Sequence, residues 1–440
     1  MILAVFLITA SNLFGQFPVI TTPKPAAPFT VPNYGNPTPQ VRQANPFPNP
    51  HNPNYTNQMN MYERDRQEVQ RRNAESLSNS YEQSMFPNPT IQYELPSQLG
   101  SQGTEYYQKA LEELSKMLRG ETPLNLKEAV FTVENAFFEN QLEYSKFNNA
   151  IKKLAETAEL KTVQDGYNWN NPLTKNIMLF RAMADTLEIK VPQREATVFS
   201  YPMRYDFEDF WGKEDRTKLF VSKLLVSNTG QCHSMPLLYL ILCEETGVEA
   251  NLAYSPSHSY IKFKDSSGDW HNLELTIGNI VSDAHIVASG YVTVEAVKNG
   301  TYLKEQTKEQ VIAQCISDLA GGYIDKYGYD NFVTQCLDSV FKYDANSLTA
   351  LKIKSNHATL RAFYVIDHQL GHPPLELLKT DYPQAYSLYE EVKQIYERVD
   401  ATGHREMPPE MYEAWLKSID AEKARQEHDE KHNQVLRLIK

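Results

Sequence analysis

Pro236 fixes where the most informative helix of this chain begins. A proline fits a helix only in its first turn, where its missing N–H has no partner to lose and its fixed φ suits the backbone. Beyond it, Leu237, Leu238, Leu240, Ile241 and Leu242 make a strongly apolar helix that stops near Gly247. Before it the chain reads NTGQCHS, with Gly230 allowing a tight turn. Cys232 and His233 are thereby set at the helix N-terminus. In that position the helix dipole and the unpaired N–H groups lower a thiol's pKa and can stabilise an oxyanion as it forms.

The residues that follow read as strands. Val248–Tyr254 is extended, Ser255, Pro256 and Ser257 make a turn or bulge, and Ser259, Ile261 and Phe263 then alternate with Tyr260, Lys262 and Lys264. His258 therefore opens a strand, a rigid place for a base. Gly268 and Asp269 form a hairpin turn, and Trp270–Thr276 is the returning strand. On antiparallel neighbours His258 and Glu274 can face each other. A carboxylate there accepts a hydrogen bond from the imidazole, fixes its tautomer and favours the imidazolium formed when it takes the thiol proton. Asn272, two residues earlier on the same face, is the alternative orienter. His233 and His271 adjoin key residues and are expected to point away from them, with His233 able to border the cleft and modulate the thiol. Cys243 is expected in the core. The aromatic and acidic segment YPMRYDFEDFWG contains Tyr205 and Trp211. It either lines one wall of a cleft or folds as a loop onto its own core.

The rest of the 440 residues exceeds one ordinary core and suggests several parts. Residues 1–16 carry an apolar run, Ile2–Ala10, too short to cross a bilayer but suited to a secretory signal, although no Lys or Arg follows Met1. Residues 17–103 read as a Pro/Asn-rich linker, which cannot bury enough apolar surface to offset its ordering entropy. Amphipathic helices are expected within 104–120, 124–140 and 144–160, then over 172–191 and 217–226. Residues 104–226 would form a helical subdomain and 227–303 a catalytic core, with Tyr291–Val297 as a strand edging the sheet. From Lys308 the pattern turns helical, and Leu319, Ala320 and Tyr323 resemble the tetratricopeptide spacing. Only one or two such repeats fit, so residues 304–440 are expected either to pack against the catalytic part or to complete a small helical domain, ending in a solvated helix over 421–440. The net charge of −12 without a concentrated basic face disfavours nucleic acid and anionic membranes as partners. The four cysteines form no C-x-x-C pair and no H-E-x-x-H occurs, so neither a structural zinc nor a disulfide scaffold is expected. Cys315 and Cys336 either pair with each other or are two core thiols.

The order helix with Cys, strand with His, strand with acid resembles the transglutaminase-like superfamily of papain-like cysteine enzymes. The stretches that carry the likeness are GQC (230–232), SHSYIKF (257–263) and WHNLELT (270–276). Trp270 and Thr276 match the family positions, while Glu274 stands where the family has Asp and Leu275 where it has Pro. The resemblance implies an α+β fold with a helix packed on an antiparallel sheet, a helical N-terminal part and a helical C-terminal region. It implies a triad of Cys232 as nucleophile, His258 as base and Glu274 as orienter, with no metal or organic cofactor. Gln231, His233, Tyr205, Trp211 and Trp270 are then the cleft candidates, and Asn228 or Gln231 a side-chain oxyanion donor. The expected activity is that of an exported cysteine hydrolase or acyltransferase acting on peptide or protein amides, periplasmic, at the cell surface or extracellular. No membrane span is expected after signal removal. The competing expectation is an inactive envelope protein of the same fold that binds or scaffolds, holding a protein partner through its helical repeats.

Overall fold

The computed structural model describes residues 90–191, 196–209, 211–287, 291–408, 410–412, 414 and 415. The expected signal segment, most of the expected linker and the terminal helix over 421–440 lie outside these residues.

Among the described residues four helices come first: α1 (Thr104–Leu118), α2 (Leu126–Phe137), α3 (Tyr144–Gln164) and α4 (Pro172–Ala184). The starts of α2 and α4 are encoded locally. Asn125 and Asn171 turn their side chains onto the third backbone N–H of α2 and α4, and Pro172 occupies the first position of α4. On α1 the buried residues Tyr107, Ala110, Leu114, Met117 and Leu118 recur at helical spacing and turn one face inward. A hairpin follows, β1 (Leu187–Val191) with β2 (Ala196–Ser200), then β3 (Arg204–Tyr205), a 3₁₀ turn (Arg216–Leu219), α5 (Val221–Ser227) and β4 (Thr229–Gly230). The helix expected over 172–191 therefore ends at Ala184. After Asp185 the β-branched Ile189 and Val191 enter a strand paired to β2.

The apolar helix α6 (Ser234–Thr246) is the centre of the molecule, buried at every position from Ser234 to Cys243. A helix apolar on all sides must be enclosed. It packs against α2, α3, α4 and α5 on one side and against the main sheet on the other. That sheet is an antiparallel meander of β5 (Asn251–Ser255), β6 (His258–Lys264), β7 (Trp270–Glu274) and β8 (Asn279–Val281). Its register sets Ser255 opposite His258 and Ile261 opposite Leu273. Two short helices, α7 (Asp283–Val287) and α8 (Val294–Lys298), come next. The strand expected over 291–297 is instead α8, nucleated by the Thr293 side chain accepting from the Ala296 N–H, and β8 takes the edge of the sheet.

The C-terminal part contains α9 (Lys308–Tyr327), α10 (Asn331–Phe341), α11 (Leu348–Ala362) with a π-helical continuation (Phe363–Gln369), α12 (Leu375–Asp381) and α13 (Pro383–Ala401). α9 opens with a capping box between Thr307 and Gln310. It packs on α1 and α2, and one apolar core runs from Tyr107 to Ile353. The expected boundary at residue 303 is thus crossed by the core itself. A smaller core joins α11, the π segment, α12 and α13, with Ile91 and Tyr93 packed against it. Residues 90–103, the end of the expected linker, lie along the body: Gln98 N–H and Ser97 Oγ both reach the Asp330 carboxylate, at 2.9 and 3.1 Å. The architecture is mixed α and β, with small sheets that are antiparallel except for the β3–β4 pair, and a helical C-terminal region. All four cysteines are free, and Cys243, Cys315 and Cys336 are buried. Among the described residues no helix is long and apolar enough to cross a membrane.

Glu134 on α2 is 4% exposed. Its two carboxylate oxygens accept from the first N–H groups of α5, Val221 at 2.6 Å and Ser222 at 2.9 Å. The side chain of one helix thus caps another, which sets the direction from which the chain enters the Cys232 turn. Glu134→Ala leaves two enclosed N–H groups without acceptors. It is expected to cost about 2–3 kcal/mol of stability, read as a lowered urea midpoint at unchanged slope.

Candidate active site

The thiol is held by the turn between β4 and α6. β3 lies parallel to β4, with Tyr205 beside Gly230, and the Asp206 N–H donates to the Gly230 carbonyl at 2.7 Å. Gly230 is required here for space rather than for a left-handed turn. A Cβ would come within 2.7 Å of Ser234 Oγ and 3.0 Å of the Leu224 side chain. Asn228 makes the left-handed turn instead, as the C-cap of α5 at φ 52°. Cys232 follows one residue before the N-cap of α6, and the Ser259 hydroxyl of β6 donates to its carbonyl. This bond ties the cysteine turn to the start of the strand that carries the base.

His258 is the first residue of β6, held there by the two-residue Pro256-Ser257 turn with Ser257 at φ 57°. The Ser257 carbonyl lies 4.0 Å from Cys232 Sγ. The imidazole has two distinct faces. Nε2 meets Glu274 Oε2 at 2.6 Å, with both side chains completely enclosed. Nδ1 lies 3.2 Å from the hydroxyl of Tyr412, and the Cys232 thiol stands beside the ring and lines the same cavity. By the register, Glu274 falls opposite Tyr260, so the contact to His258 runs diagonally across the ladder. Its other oxygen accepts from the Thr276 N–H at 3.1 Å and the Thr276 hydroxyl at 2.6 Å. Thr276 therefore orients the group that orients the base.

The charges follow from these contacts. Burial pushes the His258 pKa down, but the Glu274 carboxylate and the hydrogen-bonded Cys232 outweigh it and lift the imidazole to about 10. Burial likewise raises the thiol, yet the hydrogen bond and charge of His258, a hydrogen bond from Tyr412 and the charge of His233 bring it below its ordinary value. Burial also raises Glu274, and His258 and Thr276 more than reverse this. All three shifts run in the direction that favours a thiolate–imidazolium pair with an ionised acid behind it. The histidine, raised above its unfolded value of 6.5, gives stability that is complete below that pH and is lost as pH rises through about 10. The carboxylate, lowered from 4.5, gives stability that is present above that pH and fades as pH falls through its depressed value.

The sequence candidates separate clearly. Cys232, His258 and Glu274 come together. Asn272 does not act as orienter: its amide donates to Asp283 Oδ1 at 2.7 Å, one pleat away from the imidazole. His233 pairs with Asp318 of α9 at 3.2 Å and lines the cavity beside the thiol. Gln231 is fully enclosed, lines the same cavity and has no hydrogen-bond partner for either amide atom. Trp211 lines the cavity, whereas Tyr205 stands in the aromatic cluster with Met407 and Tyr412. Trp270 is not a cleft residue. It is 45% exposed at the far end of β7, where Lys262 and Lys264 lie over its ring at 5.2 and 5.7 Å. His271 stacks on Phe263 and bonds Asp265, away from the site. Among the described residues no cluster of His, Cys, Asp and Glu could hold a metal ion.

Two contributors were not read from the sequence. The cavity, of about 280 Å³, draws a wall from α9 and α11, including Gln314, Asp318 and Thr349. Tyr412 arrives from beyond α13. No local pattern signals either, since each depends on how distant elements return.

Comparison of the chain with protein-family models, with curated proteins and with solved structures finds no match. The functional reading therefore stands on the geometry above and on the sequence resemblance.

Replacing Glu274 by Gln removes the charge that lifts His258 while keeping the shape. The pH midpoint for iodoacetamide alkylation of Cys232 is expected to move up by about one unit or more. An unchanged midpoint in the pH–rate profile would show that the carboxylate does not set the thiolate.

Proposed function

We propose that this protein is a transglutaminase-like cysteine enzyme, a hydrolase or acyltransferase that acts on peptide or protein amide bonds. The observation that carries the reading is the group of three in which an enclosed carboxylate holds Nε2 of an imidazole that stands beside a thiol of lowered pKa. Such a group is the working arrangement of nucleophile, base and orienter in covalent acyl transfer. The chain order and the stretches GQC, SHSYIKF and WHNLELT give it the transglutaminase-like assignment.

In this reading the Cys232 thiolate adds to the substrate carbonyl. The His258 imidazolium then gives its Nδ1 proton to the departing amine, leaving a thioester on Cys232. Water or a second amine attacks the thioester while His258 takes the incoming proton back. The first turn of α6 supports the oxyanion through its N–H groups. The cavity supplies the approach to the thiol, and the unpartnered Gln231 amide supports a role in hydrogen-bonding the substrate's own amide. The apolar run at residues 2–10 supports an exported enzyme. The competing reading, an inert binding module, requires a thiol with ordinary or raised pKa, and the ion pair with His258 weighs against it.

Native wild-type protein is expected to take one label per chain from a peptide vinyl sulfone, because the other three cysteines are buried. Cys232→Ala is expected to melt like wild type and take none. Equal labelling of the two proteins in intact-mass spectra would overturn the reading.

A further inference from the structure

After α13 the chain turns back on itself and returns to the site. Gly403 makes the turn at φ +73°, and a Cβ there would lie 2.4 Å from the Ala296 backbone nitrogen, so only glycine fits. The hydroxyls of Thr293 and Thr301 donate to the carbonyls of Gly403 and Thr402 at 2.6 and 2.8 Å. From this anchor the chain carries Met407 and Tyr412 into buried positions among Tyr205, Trp211 and Cys232.

Tyr412 has no exposed area. Its ring centroid lies 5.1 Å from that of Trp211 and 5.8 Å from that of Trp415. Its hydroxyl is 3.2 Å from the Tyr205 hydroxyl, 3.2 Å from His258 Nδ1 and within hydrogen-bonding reach of the Cys232 thiol. Charged imidazolium Nδ1 can only donate, and a thiolate can only accept. Tyr205 can donate to the Tyr412 oxygen, which leaves the Tyr412 proton for the sulfur. The cavity that reaches the thiol is lined by Cys232, His258 and Trp211 but not by Tyr412.

We propose that Tyr412 is a catalytic residue whose O–H donates first to the Cys232 thiolate and then to the substrate carbonyl oxygen as that oxygen becomes an oxyanion. When the C–S bond forms, the carbonyl π pair moves to oxygen, one bond length from the carbon the sulfur has just joined. A donor aimed at the sulfur is then close enough to follow the charge. The phenol keeps its proton throughout, since burial above all holds its pKa far above the ordinary value. The proton received by the leaving amine comes from His258. This role deepens the acyl-transfer reading of Cys232 and rests on it.

Two probes separate the steps. p-Nitrophenyl acetate acylates the thiol through an oxyanion, whereas iodoacetamide alkylates it by displacement without one. In Tyr412→Phe, which keeps the ring against Trp211, acylation of Cys232 is expected to fall roughly 10- to 1000-fold. Alkylation should fall by a smaller factor, with an upward shift in its pH midpoint. Tyr205→Phe, which removes only the partner of the phenol, should give a smaller drop of the same kind. Acylation as fast as in wild type, or faster, would overturn the proposal and make the phenol a bystander or a cover. Equal loss with both probes would also overturn it, leaving Tyr412 a support of the thiolate alone. Wild-type acylation that is the same in Cys232→Ala would instead remove the acyl-transfer reading, and this role with it.

Discussion

The contact on which the site depends is the enclosed bond between His258 and Glu274. Neither side chain reaches water, and an isolated charge in such a place is strongly disfavoured. The two are tolerable because each supplies the other's counter-charge and because Thr276 satisfies the second carboxylate oxygen. The neighbouring structure follows from that requirement. The strands must keep a register that brings the diagonal pair together, the Pro256-Ser257 turn must present His258 at the head of its strand, and α6 must close the base of the sheet. A one-residue slip of β7 would carry Glu274 to the other face and leave the imidazole without its partner.

The thiol is activated by position in a second sense. It sits ahead of the first turn of a helix that is buried along most of its length, so the N-terminal end of α6 cannot move far from the sheet. Glu134 fixes the helix before the cysteine turn, and Ser259 fastens the turn itself to β6. The Cys232 thiol and the His258 imidazole are thus held by separate elements that are each anchored in one core, so their relative position does not drift.

Much of this was legible in the sequence. The placement of Cys232 came from Gly230, Pro236 and the apolar run after it, and that of His258 and Glu274 from period-two alternation and the Gly268 turn. Those signals are local, and the elements they specify formed where expected. The misreadings share one cause. The stretch 185–191 and the segment 291–297 were assigned by composition where short-range pairing and a Thr293 cap decide the outcome. Trp270 is a cleft candidate by the resemblance alone, yet four residues of strand carry it to the opposite end from Glu274. The capping role of Glu134 is not visible in its own helix, because a helical stripe does not reveal what packs beside it. The cavity wall from α9 and α11 and the arrival of Tyr412 rest on contacts across long separations, which no window of sequence contains.

The turn at Gly403 has a consequence in time. His258 and Tyr412 are separated by 154 residues of chain. A ribosome adding about 5–20 residues per second needs roughly 8–30 s to make that interval. α6 and the meander can assemble during it, with cysteine, histidine and glutamate already in line. The phenol comes only after α13 has been made and the chain has doubled back over α8. A newly made molecule therefore passes through a stage in which its nucleophile exists without its last partner, and closing the C-terminal turn is the step that ends it.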